Sequence, residues 1–179
     1  MMPASPQTRT IAACSCGSVE LEAHGVPITS VVCYCDDCQS GSRHIESLPN
    51  AAPVLDPDGG TAYIVYRKDR IRCSRGAALL RSYKIRAESV TNRVFATCCN
   101  SAMFLNFDDS KHWVDVYRAR LRGAAPPVQM RMCTKFRRAA SEVPNDAPSY
   151  PMWSVKFLAK LLVAGWAMRL TAFTHRRMQ

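Results

Sequence analysis

Nine cysteines occur in 179 residues, and seven of them form three groups: Cys14-Ser-Cys16, Cys33-Tyr-Cys35-Asp-Asp-Cys38 and Cys98-Cys99. Zinc takes thiolate ligands in tetrahedral geometry, with Zn–S near ~2.3 Å. C-x-C and C-x-x-C spacings bring two or three sulfurs onto one ion within a single backbone turn, and Gly17 gives the first knuckle conformational freedom. One C-x-C alone is weak evidence. Five cysteines between positions 14 and 38 at ligand spacing, with a distant pair, read as bound metal rather than as scattered thiols. Cys73 and Cys133 stand apart and read as buried free thiols, a common fate of cysteine. His24, His44, His112 and His175 lack paired spacing and read as ordinary histidines.

The elements that must position these groups read as many short strands. Thr10 to Ala23 is a strand interrupted by the first knuckle, with Val19 and Leu21 alternating against Glu20 and Glu22. A second strand at Val31-Val32 enters the three-cysteine run. Residues 39 to 60 are rich in Ser, Pro, Gly and Asp and read as loop, with room for one short helix. Further strands are expected at 61–66, 70–73, 79–85, 93–97, 102–107 and 113–121, the last placing Arg118, Arg120 and Arg122 on one face. The expectation is a mainly β fold of packed antiparallel sheets around cysteine-ligated zinc, with a C-terminal amphipathic helix. Residues 1–10 form a loose N-terminus, 11–138 the zinc-binding domain, and 139–179 a Pro-containing linker followed by an apolar and basic helix.

The chain has 47% hydrophobic residues, which argues against wholesale disorder, and 24 Lys+Arg against 14 Asp+Glu, a formal net charge of +10. That surface favours anionic partners without choosing among nucleic acid, acidic lipid and small anions. Residues 1–10 contain no apolar run, so a secretory leader and a disulfide framework are not expected, and the reading is cytoplasmic. The helix from Ser154 to Phe173 is interrupted by Lys156, Lys160 and Arg169, too often for a span of ~20 apolar residues. Docking onto the domain or pairing in a homodimer is favoured over lying on an anionic membrane.

Four segments, Cys14-Ser-Cys-Gly-Ser-Val-Glu-Leu-Glu22, Cys33-Tyr-Cys-Asp-Asp-Cys38, Leu80-Arg-Ser-Tyr83 and Phe95-Ala-Thr-Cys-Cys-Asn-Ser-Ala-Met-Phe104, resemble the glutathione-dependent formaldehyde-activating (GFA)/centromere protein V family over roughly residues 11–122. The resemblance implies two zinc ions. One is structural, held by Cys14, Cys16 and Cys99. The other is reactive, held by Cys33, Cys35 and Cys38 with an open fourth position. The family's late C-x-x-C-G has Ala96 at its first cysteine and Asn100 at its glycine, so the fourth structural ligand is open between Cys98, the nearest, and Cys73 or Cys133.

The implied activity is that of a zinc-dependent carbon–sulfur lyase or thiol-adduct enzyme resembling S-(hydroxymethyl)glutathione synthase, acting with a small thiol such as glutathione and with formaldehyde. A thiol at an open zinc position becomes a thiolate, the nucleophilic form. Arg43 and His44 are the candidate glutathione-binding cations, with Arg70, Arg72 and Arg75 behind them, and Asp36 and Asp37 are either proton acceptors or solvated turn residues. A non-catalytic zinc module with a basic face for nucleic acid or membrane is the alternative, and C-x-x-C redox chemistry at Cys35 and Cys38 ranks last.

Overall fold

Ten short strands and two α-helices, counted among the described residues, build two sheets that share one core layer. A computed structural model describes residues 9–109, 111–138 and 142–177. In order these are β1 (Arg9–Ala13), β2 (Glu20–His24), β3 (Thr29–Cys33), α1 (Asp36–Glu46), β4 (Thr61–Arg67), β5 (Ile71–Arg75), β6 (Leu80–Tyr83), β7 (Thr91–Ala96), β8 (Ser101–Phe107), β9 (Trp113–Tyr117), β10 (Met130–Met132) and α2 (Val155–Arg177). The smaller sheet has the order β1-β2-β5, and the larger has seven strands in the order β10-β3-β4-β9-β8-β7-β6. The mainly β expectation holds, with the C-terminal helix in place. Residues 1–8 of the expected loose N-terminus and 139–141 of the linker lie outside the described residues.

Alternation along β4 explains the layering. Tyr63 and Val65 point into one core, with Val31, Cys33, Cys38, Leu105, Met132 and Phe157. Ile64 and Tyr66 point into the other, with Ala12, Cys14, Leu21, Val114 and Val116, between the two sheets. A strand buried on both faces reads as a continuous apolar run, as Tyr63 to Tyr66 does.

Three details differ from the sequence reading. The first is α1, which occupies a segment read largely as loop. Its residues DDCQSGSRHIE are weak helix formers. Tertiary contacts hold it instead: Ile45 is fully buried, Ser42 lies 3.0 Å from the Thr61 hydroxyl, and buried Gln39 donates to the carbonyls of Tyr34 and Phe136, the latter at 2.9 Å. The second is β10, which pairs parallel to β3, so the larger sheet is mixed and not purely antiparallel. The third is the expected strand over 113–121, which ends at Tyr117 and passes into a 3-10 turn. The predicted cationic stripe is thereby broken up. Arg118 donates to the Pro126 carbonyl, Arg120 is buried, and Arg122 lies 3.6 Å from Glu20.

Helix α2 docks through a narrow line. Phe157, Leu161 and Ala164 are buried, spaced as one helical stripe. Val155, Leu158, Leu162, Val163, Trp166 and Leu170 are exposed. No helix among the described residues is long and apolar enough to cross a membrane. Truncating Phe157 to Ala is expected to cost about 3–5 kcal/mol in denaturant unfolding. Leu162→Ala, on the exposed side, is expected to stay within about 0.5 kcal/mol.

Candidate functional site

The first sulfur group is built from two turns. In the knuckle after β1, Gly17 takes φ +77, its N–H bonds the Cys14 carbonyl at 3.0 Å, and the Val19 N–H donates to Cys14 Sγ at 3.2 Å. The second turn joins β7 to β8 and carries Cys98 and Cys99. Asn100 there takes φ +49, a left-handed state that asparagine tolerates better than most residues. It therefore meets the backbone requirement that a glycine would meet at this position. Ala96 is the buried last residue of β7 and offers no ligand.

The thiols of Cys14, Cys16, Cys98 and Cys99 all lie within 4.8 Å of one another. The Sγ–Sγ distances are 3.6 Å for Cys14–Cys16, 3.8 Å for Cys14–Cys98, 3.4 Å for Cys16–Cys98 and 3.9 Å for Cys98–Cys99. Four sulfurs each ~2.3 Å from a tetrahedral ion stand about 3.8 Å apart, so the donor set fits. Cys98 completes the group. Cys73, whose thiol bonds the Arg75 carbonyl at 3.1 Å, and Cys133 are elsewhere. Hydrogen bonding with the Ser18 side chain and backbone, then with Cys98, pulls the exposed Cys16 thiol down to about 6.

The second group joins the end of β3 to the start of α1. Cys33 is the last residue of β3, Cys35 is the N-cap of α1 and Cys38 sits in its first turn. Their three thiols lie within 4.8 Å of one another. The Cys38 N–H donates to Cys35 Sγ at 3.4 Å, and the helix N-terminus favours negative charge at both sulfurs. Hydrogen bonds from Cys33 and Cys38, aided by the Arg93 charge, hold the Cys35 thiol far below the usual thiol range.

A buried arginine accompanies each group. Arg93, on β7, is 2% exposed and donates to the Asp37 carbonyl at 2.8 Å, and its Nε and Nη1 have no partner among the described residues. Gly41 of α1 makes room for it, since a Cβ there would lie 1.9 Å from the Arg93 Nε. Arg120 is 8% exposed and donates to the hydroxyl of Ser15 at 2.9 Å and the carbonyl of Pro53 at 3.2 Å, and burial pulls its pKa down. Neither guanidinium pairs with a carboxylate among the described residues. A buried arginine without an acidic partner is costly unless other negative charge is near, and metal-bound thiolates would supply it.

A cavity of about 220 Å³ opens beside the second group. Cys33, Cys35 and Cys38 line it together with Arg93, Asp115, Lys111, Trp113, Trp153 and Phe157. Burial alone raises Asp115 to about 7, and its Oδ1 has no hydrogen-bond partner among the described residues. The cations expected here lie elsewhere. Arg43 and His44 are exposed in the last turn of α1, about 12 Å along its axis from Cys35. Arg43 donates to Gln39 and His44 stacks on Tyr83 at 3.8 Å. Arg72 and Arg75 pair with Glu22 and Glu20 of β2, and Arg70 packs under Gly25. Asp36 pairs with Arg138 at 2.6 Å, and Asp37 with Arg86 at 3.3 Å. Arg93 and Asp115, two of the charged groups that face the thiols' cavity along with Lys111 and Asp37, sit on strands whose sequence gives no spacing signal.

Residues 9–51 match the model of the family described as glutathione-dependent formaldehyde-activating enzyme. That match is a local likeness to the family, confined to the N-terminal part of the chain. The matched stretch spans the first knuckle, the three-cysteine run and α1, and stops short of Cys98 and Cys99. A search of curated proteins returned no match. Among solved structures, a Rhodobacter sphaeroides protein from a structural genomics programme is similar at 20% identity, over 65% of this chain and 91% of that one, with a TM-score of 0.46. At that level the likeness carries no argument about fold or activity.

Asp115 makes stability depend on pH. Its folded pKa lies above the ~3.9 of an exposed aspartate, so between about pH 4 and pH 7 the folded state holds a proton that the unfolded state has lost. Unfolding free energy should therefore fall through that window by up to about 1.4 kcal/mol per pH unit, and level off above it. Asp115→Asn should remove this component, as urea unfolding of both proteins at pH 5 and pH 7 would reveal. An equal pH response in the two would refute it.

Proposed function

We propose that the protein is a zinc-dependent thiol-adduct enzyme with carbon–sulfur lyase chemistry, joining a small thiol such as glutathione to formaldehyde or running the reverse. The observation that carries this reading is the contrast between the two sulfur groups. One presents four thiols and is complete. The other presents three that open onto a cavity with buried charged walls. Four protein ligands make a closed structural zinc site, whereas three with a free position make a reactive one.

Cys14, Cys16, Cys98 and Cys99 would hold the structural ion, and Cys33, Cys35 and Cys38 the second. Zinc there would lower the pKa of an incoming thiol and so supply a thiolate at neutral pH. The thiolate sulfur forms a bond to the aldehyde carbon, the C=O π pair moves onto oxygen, and one proton completes the hydroxymethyl thioether. Asp115, on the cavity wall and titrating near 7, is in the range to hand over that proton and to take it back in the reverse direction. Arg93 offsets the negative charge of the thiolates. Trp113, Trp153 and Phe157 keep the cavity apolar beyond these groups. At about 220 Å³ it is smaller than the ~300 Å³ lower bound of ordinary ligand pockets, so it suits a thiol end and a one-carbon electrophile better than a whole peptide.

Native mass spectrometry should find two zinc ions, with Cys35→Ser and Cys99→Ser each losing one. In cobalt-substituted protein, millimolar glutathione should change the spectrum, and Cys35→Ser should abolish that change. Asp115→Asn should lower turnover of glutathione with formaldehyde by about 10²-fold or more. A cobalt spectrum indifferent to thiol would defeat the proposal.

A further inference from the structure

A further thiol, outside the family spacing, lies beside the three-thiol group. Cys133 follows β10, whose parallel pairing sets Met132 opposite Cys33. Cys133 is 1% exposed and belongs to the same core cluster as Cys33 and Cys38. Its thiol and that of Cys33 interact directly, and the charge of Cys35 reaches it. It is not one of the trio whose thiols are mutually within 4.8 Å.

The backbone fixes it there. Cys133 takes φ +61, a left-handed state that non-glycine residues rarely adopt. Its N–H bonds the Met152 carbonyl at 3.3 Å, its carbonyl accepts from the Phe136 N–H at 3.1 Å, and the Tyr34 N–H donates to the Met132 carbonyl at 3.0 Å. The arm beyond is anchored by Arg131, which pairs with Asp58 at 2.9 Å and with Asp146 at 2.8 Å. Lys135 adds a positive charge on the Cys133 side, and the α1 N-terminus adds its dipole at Cys35 and Cys38.

We infer that Cys133 is the resting fourth ligand of the central metal ion, so that this centre holds four protein sulfurs until a substrate thiol displaces one. Zinc takes four sulfurs at ~2.3 Å in tetrahedral geometry, and Cys133 is the thiol on hand for the fourth position. Cys133 is not among the residues lining the cavity, whereas the other three cysteines are. An incoming thiol therefore approaches from the cavity while Cys133 approaches from the β10 arm, and the two compete for one position. The inference rests on metal binding at Cys33, Cys35 and Cys38, as proposed above.

Cadmium-113 NMR of the fully loaded protein tests this without reference to activity. Two resonances are expected, both in the four-thiolate range. In Cys133→Ser, one should move upfield into the three-thiolate range, while the resonance from Cys14, Cys16, Cys98 and Cys99 stays. A wild-type spectrum with one resonance already in the three-thiolate range overturns the inference and leaves the proposed function standing. A single resonance, with no metal at the central group, overturns both. X-ray absorption of the zinc-loaded wild type gives a second readout needing no variant: near four sulfurs per zinc if Cys133 binds, about 3.5 if it does not.

Discussion

Crowding of sulfur is the constraint on which the rest of this structure depends. Seven thiols are gathered into two groups, and in one of them the four sulfurs all lie within 4.8 Å of one another. If those sulfurs ionise without a cation they repel one another, and burial makes the repulsion stronger. The fold answers with one buried arginine beside each group. Arg120 is wedged between the knuckle Ser15, the β8 residue Ser101 and the loop at Pro53. Arg93 is clamped beneath α1 at Gly41 and Asp37. A guanidinium is always charged, and without a carboxylate partner it needs thiolate nearby. Arginines and sulfurs thus account for one another, and a bound cation between the sulfurs completes the balance.

The layering keeps the two groups chemically distinct. Alternation along β4 assigns Tyr63 and Val65 to the face that meets α1 and α2, and Ile64 and Tyr66 to the face that meets the small sheet. The four-thiol group sits at the edge of the second face, on turns, with Cys16 and Cys98 exposed. The three-thiol group sits on the first face, where a strand end meets a helix N-terminus and a cavity remains. Strand ends and helix starts are where side chains of different elements can converge without breaking the ladder hydrogen bonds, and Cys33, Cys35 and Cys38 use that junction.

Much of this was legible in the sequence, and the reason is local. Cys14 and Cys16, and Cys33, Cys35 and Cys38, converge because a turn brings near neighbours together, so spacing alone reports them. Strands such as β4 and β8 were legible because burial imposes an apolar or alternating pattern. What sequence reasoning missed is held by contacts distant along the chain. Helix α1 has poor intrinsic propensity and stands on Gln39, Ser42 and Ile45 contacts with β3, β4 and the segment at Phe136. Arg93 and Asp115 look like any charged residue in a strand until the sheet shows which face they occupy. The stripe of Arg118, Arg120 and Arg122 failed because the strand ends at Tyr117, where a 3-10 turn destroys the period of two.

The C-terminal arm changes what the central group is. Had the chain stopped after β9, the face carrying Cys33 and Tyr63 would lack β10, Trp153 and Phe157, and the cavity would have no wall on that side. The arm reaches its place through Arg131, which ties β10 to Asp58 and to Tyr34, the residue between two of the cysteines. Its partner Asp146 lies in the proline-containing stretch read as a linker, so that stretch is a tether rather than a free spacer. A segment outside the region of family resemblance therefore shapes the cavity and sets a further thiol beside the three-thiol group. Any reaction at Cys33, Cys35 and Cys38 is conditioned by this arm, and a comparison confined to residues 9–51 does not reach it.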